Sequence, residues 1–427
     1  MKVFLNMVGC RLNQSEIETF ARQFRSAGHT IVAVPDDADL VVVNTCAVTA
    51  GAASDSRQKI RQAARSGAKE IIATGCWATI NPSGASALPG VTQIIDNASK
   101  DNLVLQVLQL PADTFDLEPV EREPLPGARA RTRAFIKVQD GCNNRCTFCI
   151  TTIARGQGRS RAENAVVADV RAALAGGAQE VVLTGVHLGS WGHDSSPSLH
   201  LADLIRTILV EADPPRLRLS SLEPWDLNED FFSLWEDSRL CRHLHLPLQS
   251  GCAATLRRMA RKTTPESFAQ LVESARKQIS GVAVTTDVIA GFPGETEMEF
   301  AETLAFVQIM SFAGGHVFTY SARQGTAAAR MPDQVPHPIR KERNAILRGA
   351  LADSAQAYRK AFIEQELPVL WESTTGCGPH GWEVTGLTDN YIKITAVAPK
   401  DIWNTIHPVR LKALTADGMK GLLVENA

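Results

Sequence analysis

The chain reads as an α/β protein in three parts. These are an N-terminal parallel-sheet α/β domain, a central partial (β/α)6 barrel and a C-terminal small antiparallel β-barrel. Three observations predict this. The 427 residues amount to roughly three domains at about 150 residues each. Short β-rich runs alternate with helical stretches as far as the 360s, the rhythm of right-handed βαβ units. Beyond about residue 365 the period changes to short strands separated by turn signals.

The elements follow in order. Residues 2–8 are a β-rich run. Asn13 or Ser15 is placed to cap a helix running to about Ala27, with Gly28 as its stop. Residues 40–44, 70–74 and 91–96 read as further strands. Helices are expected at about 55–66, before Gly67, and from Ser99 to about Leu110. Residues 111–133 carry Pro111, Pro119, Pro124, Pro126 and Gly127 with little periodicity, the marks of a linker. The rhythm resumes with strands at 134–138, 180–184, 216–220, 243–246, 282–289 and 315–318. Helices are expected at 164–175, 201–212 and 265–279, and a long polar one at about 337–365 closes this part. Six βα units suit a partial barrel better than the full eight. Strands at 369–372, 382–387, 391–397, 407–413 and 421–424 then make the small barrel. The boundaries are 1–115, a linker at 116–133, then 134–364 and 365–427.

Composition narrows the class. With 44% hydrophobic and 21% charged residues the chain matches ordinary soluble globular proteins. The formal net charge is −2, so no overall basic excess advertises a nucleic-acid partner. Residues 1–10 hold one basic residue, a short apolar run and no small-residue cleavage site, so they read as a first strand and not a signal peptide. Apolar runs are strand-length, far below the roughly 18 residues of a membrane span. A reducing cytoplasm and no membrane are expected. Nine cysteines are too sparse for a disulfide scaffold, and in that compartment patterned cysteines more often bind metal.

Two cysteine patterns carry chemistry. Gly141-Cys142-Asn143-Asn144-Arg145-Cys146-Thr147-Phe148-Cys149 spaces three cysteines as C-x-x-x-C-x-x-C directly after a strand. Three close thiolates supply three corners of an iron–sulfur cluster and leave the fourth iron open. A structural zinc site would want a fourth ligand nearby, and no Cys, His or Asp follows closely. The second pattern is Cys10, Cys46 and Cys76, each at the C-terminal end of an expected strand. A parallel sheet puts those ends on one edge, so the three converge as another site with one open position. The competing reading is that small apolar cysteines end buried strands. Cys241, Cys252 and Cys377 lack any pattern and are expected in the core. His243 and His245 alternate on a strand, lining a working face or simply packing.

The motif around Phe135-Ile136-Lys137-Val138-Gln139-Asp140-Gly141-Cys142, with Cys146 and Cys149, resembles that of the radical S-adenosylmethionine (SAM) enzymes, specifically the methylthiotransferases. Asn44-Thr45-Cys46-Ala47-Val48-Thr49, Leu183-Thr184-Gly185-Val186-His187 and Asp287-Val288-Ile289-Ala290-Gly291-Phe292-Pro293-Gly294 are similar to further segments of that family, and the likeness spans the whole chain. Val8-Gly9-Cys10-Arg11-Leu12-Asn13 looks most like the branch acting on N6-threonylcarbamoyladenosine in tRNA. Thr151-Thr152 stand where the family usually has Ile-Pro, and Ala327 where proline is common.

The resemblance implies two [4Fe–4S] clusters, a radical-forming one on Cys142, Cys146 and Cys149 and an auxiliary one on Cys10, Cys46 and Cys76. It implies two uses of SAM and a methylthio group placed at C2 of the modified adenosine at position 37. Thr184, Gly185, Ser220, Glu223 and Gln249 then frame the cofactor, and Arg161 meets its carboxylate. Asp287 reads as a polar barrel filler, and Gly291, Pro293 and Gly294 as a turn against the adenine. A flavodoxin- or ferredoxin-type reductant protein and an unidentified sulfur donor are implied as partners.

The macromolecular partner implied is the tRNA anticodon stem-loop. Residues 122–161 hold nine basic residues against Glu123 and Asp140, a net +7. Arg129, Arg131, Arg133, Arg155 and Arg159 are the backbone-contact candidates. Arg257, Arg258, Arg261 and Lys262 form a second basic group. The terminal barrel is similar to the TRAM module, and its Trp382, Tyr391 and Trp403 are candidates for stacking on bases. The competing functions are a methylthiotransferase of isopentenyladenosine in tRNA, one acting on an aspartate of a ribosomal protein, and an RNA-binding iron–sulfur electron carrier.

Overall fold

The computed structural model describes residues 1–115, 132–379 and 381–424. The chain divides into two compact units. One comprises residues 1–145, 149–177 and 183–199, the other 146–148, 178–182 and 200–427.

The first unit is built on a five-stranded sheet. Its strands are β1 (Lys2–Met7), β2 (Thr30–Ile31), β3 (Leu40–Thr45), β4 (Glu70–Gly75) and β5 (Val91–Ile95), in the order β2-β1-β3-β4-β5. All pairs are parallel. Every residue of β3 is buried, as expected for a central parallel strand covered on both faces. Alternate residues feed two cores. Val3, Leu40 and Val42 pack with Ile17, Phe20 and Phe24 on one side. Val41, Val43 and Ala73 pack with Ile60 and Ala63 on the other. The fifth strand, β2, escapes the sequence pattern because two residues carry no periodicity.

Helix starts depart from expectation for a physical reason. The first helix is Arg11–Ser26, and Cys10 is its N-cap with no side-chain bond. Asn13 and Ser15 lie inside it and bond to strands instead. Asn13 Nδ2 donates to the Val8 and Thr45 carbonyls, and Ser15 Oγ accepts from Lys137 N. The second helix, Ala50–Arg65, starts earlier than expected because Thr49 Oγ1 caps it at Ala52 N. The expected helix from Ser99 is a 3-10 turn, Lys100–Asn102, followed by Leu103–Leu108. This unit also holds β6 (Arg133–Lys137), then β7 (Gln139–Asp140) paired antiparallel with β8 (Arg159–Ser160).

In the second unit, the parallel strands follow sequence order. The strand β9 (Glu180–Thr184) runs from this unit into the first. Its Val181 N donates to Arg216 O beside β10 (Leu217–Leu219). A parallel bridge, Ser221↔His245, leads to β11 (His243–His245). Then come β12 (Ala283–Ala290) and β13 (Gly314–Thr319). The long helix His337–Lys360 packs on β12 and β13.

A closed five-stranded barrel follows, in the order β14 (Glu366–Gly378), β15 (Gly381–Thr388), β16 (Lys393–Ala398), β18 (Met419–Leu423), β17 (Ile406–Leu414). It is not wholly antiparallel as expected. β16 and β18 pair parallel at Ile394↔Met419 and Thr395↔Lys420. Five strands cannot alternate direction around a closed ring, so one adjacent pair must be parallel. Two register shifts, Trp371/Ser373 and Thr374/Gly376, bend β14, which is how a long strand wraps a small barrel. Among the described residues no helix is long and apolar enough to cross a membrane.

Candidate active site

Cys10, Cys46 and Cys76 follow β1, β3 and β4 directly, on the C-terminal edge of the five-stranded sheet. The topology brings them together, close enough for Cys46 to feel the charge of both others. The approach depends on Gly9. Its φ is +107°, and a Cβ there would lie 2.6 Å from Cys46 Cβ and Sγ. Burial pushes the Cys46 thiol up to about 11, and Arg155 acts against it. Cys10 is exposed as a residue, yet the groups packed around its sulfur still raise that thiol by desolvation. Among the described residues no group of His, Cys, Asp and Glu side chains is arranged to hold a single metal ion. A [4Fe–4S] cluster asks something different, since each cysteine takes its own iron. Three thiols gathered on one sheet edge, with a cation nearby, suit that demand.

Arg155 lies immediately behind this edge and is 3% exposed. Nη1 donates to Glu16 at 2.9 Å and to both Asp140 oxygens at 2.9 and 3.0 Å. Nη2 donates to Asn13 Oδ1 at 2.9 Å, and that oxygen also accepts from Cys10 Sγ at 3.8 Å. On the other side, Asn97 Nδ2 donates to Cys76 Sγ at 3.7 Å and Lys100 Nζ donates to Asn97 Oδ1 at 3.0 Å. Lys100 closes the circuit on Glu16 at 2.6 Å. Burial works against ionisation of Glu16, but Arg155, Lys100 and Lys137 outweigh it and hold its carboxyl well below the usual range. Arg155 was expected on tRNA. A guanidinium enclosed among two carboxylates and an amide cannot reach a phosphate, so that expectation is corrected.

The loop after β7 carries Cys142, Cys146 and Cys149, all half-buried free thiols. Gly141 starts it at φ +69°, where a Cβ would meet Gln157 O at 1.9 Å. Cys142 N donates to Gly156 O at 3.0 Å, and Asn144 N donates to Cys142 Sγ at 3.4 Å. In the second unit, Arg261 donates to Cys146 Sγ at 3.8 Å. Donors already aimed at sulfur suit thiolates ligating a cluster.

The expected cofactor residues fall in distinct settings. Thr184 ends β9 and its carbonyl accepts from Val138 N. Gly185 lies against Gln139, whose Oε1 would be 3.0 Å from a Cβ there and accepts from His187 N at 2.8 Å. Gln139 was not singled out from sequence, since a strand pattern shows burial and not what a side chain holds. Ser220 is buried and its Oγ has no hydrogen-bond partner among the described residues, an orphaned donor suited to a polar ligand. Gln249 takes a left-handed φ of +68°. Glu223 is held by Arg261 at 2.6 Å. Arg161 is held by Asp169 at 2.7 Å and by the Lys137 carbonyl.

Asp287 is more than a barrel filler. His245 Nε2 lies 3.3 Å and His316 Nδ1 3.5 Å from its carboxylate. His243 and His245 both bond Thr285 Oγ1. Burial opposes the Asp287 carboxylate, but the facing His245 and His316 outweigh it and hold the carboxyl down to about 2. The unfolded value is about 3.9, so this pairing stabilises above about pH 4, as long as the imidazoles are protonated, and is lost as pH falls through about 2. It contributes on the order of 2 kcal/mol. Urea unfolding of the chain and of Asp287→Asn checks this. The gap between them should be full at pH 5 and close as the pH approaches 2, and a gap that ignores pH refutes it.

The nucleic-acid candidates divide. Arg129 and Arg131 lie outside the described residues. Arg159 is exposed, and Arg133 lies over the Phe135 ring. The local +7 is an overcount, because Lys137 and Arg155 are buried on Glu16 and Asp140, and Arg161 is tied to Asp169. The second basic group shrinks likewise: Arg258 is paired with Glu299 and Arg261 with Glu223. Trp382 packs against the barrel core, and Trp403 is half-buried. Tyr391 stacks on His243 at 4.1 Å and 7°, so its ring face is already occupied and the expected base stacking there is corrected. Cys241 and Cys252 are core residues, but Cys377 is exposed near the β14–β15 turn, against expectation.

Known proteins resemble this chain in sequence and in fold. The Radical SAM superfamily profile matches residues 136–307, and that of "Uncharacterized protein family UPF0004" matches residues 2–95. The threonylcarbamoyladenosine tRNA methylthiotransferase MtaB of Bacillus subtilis is 35% identical over 426 residues, covering 97% of this chain and 94% of the relative. The tRNA-2-methylthio-N(6)-dimethylallyladenosine synthase of Clostridium tetani is 28% identical, covering 98% and 95%. Among solved structures, the radical SAM methyltransferase TsrM from Kitasatospora setae matches with a TM-score of 0.56 at 16% identity, over 74% of this chain and 72% of that one. That is a likeness of fold. Fold and cysteine loop together define a radical SAM enzyme, a class that uses a [4Fe–4S] cluster and SAM. At 35% identity over nearly the full length of both chains, the chain belongs to the MtaB methylthiotransferase family and is an enzyme of the transferase class.

Proposed function

We propose that the chain transfers a methylthio group to C2 of N6-threonylcarbamoyladenosine at position 37 of tRNA, in the cytoplasm. The observation that carries the reading is the gathering of Cys10, Cys46 and Cys76 on one sheet edge. A radical enzyme needing a single cluster has no use for a second set of three thiols. In this reading Cys142, Cys146 and Cys149 hold the radical-forming cluster, and Cys10, Cys46 and Cys76 the auxiliary one. When bound, the two clusters with two SAM molecules supply a carbon-centred radical chemistry and a methylated sulfur.

The chain's own residues bind, orient and shield. Gly141 and Gly9 let the cysteine-bearing loops approach closely. Gln139 fixes the Gly185–His187 turn through His187 N, where Thr184 and Gly185 would frame the cofactor, and Ser220 would offer it a hydroxyl. Arg261 holds Glu223 and donates to Cys146 at once. The anticodon base must leave its stack to be reached, at a cost of a few kcal/mol. Arg133 and Arg159 are the described backbone-contact candidates, with Trp382 and Trp403 on the barrel. A flavodoxin- or ferredoxin-type protein supplies electrons.

The test offers anaerobically reconstituted protein, with SAM, dithionite and sulfide, three substrates. These are tRNA bearing threonylcarbamoyladenosine, tRNA bearing isopentenyladenosine, and a ribosomal protein with a target aspartate. Methylthio product on the first alone is expected, read by mass spectrometry of nucleosides and peptides. Product only on another substrate overturns the assignment.

A further inference from the structure

A buried ion network lies behind the sheet edge. Arg155, Lys100 and Lys137 are cations with side chains no more than 9% exposed, and among the described residues Glu16 and Asp140 face them from the interior. The third carboxylate, Asp101, pairs with Lys137 from a side chain 62% exposed. Arg155 and Lys100 are the two of these cations that adjoin the cysteines. Arg155 and the Cys10 sulfur share the Asn13 oxygen, which places the guanidinium one atom beyond that sulfur, and Lys100 reaches Cys76 through Asn97, whose Nδ2 donates to the sulfur. Both amides are themselves pinned. Asn13 donates to Val8 O and Thr45 O, and Asn97 donates to Ala154 O at 2.8 Å. The relays are therefore fixed geometry, not surface contacts.

Three thiolates around an oxidised cluster carry net negative charge, and one-electron reduction adds another. In a low-dielectric interior a fixed cation stabilises the more negative form far more than it would in water, and hydrogen bonds to ligating sulfur act in the same sense. We propose that Arg155, by its fixed charge, and Lys100, through Asn97, are positioning residues that raise the reduction potential of the cluster on Cys10, Cys46 and Cys76. The proposal rests on the reading that these cysteines hold a cluster. It explains why a fully buried lysine is placed one amide away from a cysteine.

The experiment isolates that cluster. In the full chain carrying Cys142→Ala, Cys146→Ala and Cys149→Ala, anaerobic reconstitution loads only the auxiliary site. Its reduced fraction is read by EPR at poised potentials. Arg155→Gln and Lys100→Met should each lower the reduced-to-oxidised ratio about tenfold at a fixed potential, roughly 59 mV for one electron. Glu16→Gln should shift it the opposite way, and Arg155→Lys should stay near the parent. A purely structural role would alter iron content or folding in all of these without opposite signs. Loaded Arg155→Gln or Lys100→Met with the parent's potential overturns the proposal. If Arg155→Gln does not fold, Lys100→Met and Glu16→Gln decide by sign. A parent that takes up no cluster, by iron content and visible absorbance, overturns the three-cysteine reading and the proposal with it, an outcome distinct from an unmoved potential.

Discussion

Replacing Cys46 by alanine is expected to abolish methylthio product while leaving SAM cleavage running. In the proposed function the two activities draw on different thiols. Cleavage depends on the loop of Cys142, Cys146 and Cys149, whose backbone is held by Gly156, Met259 and Ala328 and not by the sheet edge. Product depends on Cys46, which is 2% exposed at the end of the central strand. The substitution leaves the local backbone intact, because Cys46 N donates to Ser56 Oγ and the Cys46 carbonyl accepts from it. Folding should therefore lose only about 1 kcal/mol. Losing a groups that merely orient a metal ligand already costs 10–100-fold, so loss of a ligand itself should cost at least about a hundredfold in product. Deoxyadenosine release by chromatography, nucleoside mass spectrometry and iron per chain check the three parts. Normal product from Cys46→Ala refutes the auxiliary site.

The sequence made the sheet edge legible because its logic is topological. Strands that alternate with helices must be parallel, and parallel strands end together, so Cys10, Cys46 and Cys76 converge without any side-chain detail. Gly9 and Gly141 were visible beside their cysteines for the same reason. Pairing was not legible. Lys137, Arg155 and Arg161 counted as a basic stretch because they are near in sequence, whereas their partners Glu16, Asp140 and Asp169 come from both inside and far outside it. Charge summed along the chain says nothing about which cations are already spent. The same limit hid Lys100 and Asn97, which look like an ordinary polar turn yet are 1% and 2% exposed. Asn13 and Ser15 misled as caps because a residue type that favours helix ends also suits a buried helix face that must satisfy neighbouring strands. The parallel β16–β18 pair was missed because local patterns define strands, not their direction around a ring.

Arg218→Ala is expected to cost about 3–5 kcal/mol, the range for breaking one side of a buried ion pair. Both Arg218 and Glu180 are fully buried, joined at 2.7 and 2.9 Å in a bidentate fork. Removing the arginine takes the bidentate partner from a fully buried carboxylate. Arg216 stays 3.9 Å away, and the adjacent Cys241 thiol is pushed up to about 12 by burial and offers no charge. The same guanidinium also donates to the carbonyls of Asp389 at 2.9 Å and Thr388 at 3.2 Å, at the β15–β16 turn of the terminal barrel. Arg216 repeats the device on Leu387 and Pro368. The loss thus has two sources, and a second variant separates them. Arg218→Met with Glu180→Leu removes both charges at similar volume, which is close to neutral for the pair itself. It still takes the donor from the Asp389 carbonyl, at about 1–3 kcal/mol, while the Thr388 carbonyl keeps the Tyr391 N–H. Urea unfolding should therefore show the double variant recovering part of the single variant's loss and no more. Full recovery would mean that the carbonyl contacts do not anchor the barrel. No recovery would mean that the anchor, not the charge pair, accounts for the loss. A single variant losing less than about 1 kcal/mol would refute the buried pair as a stabilising element.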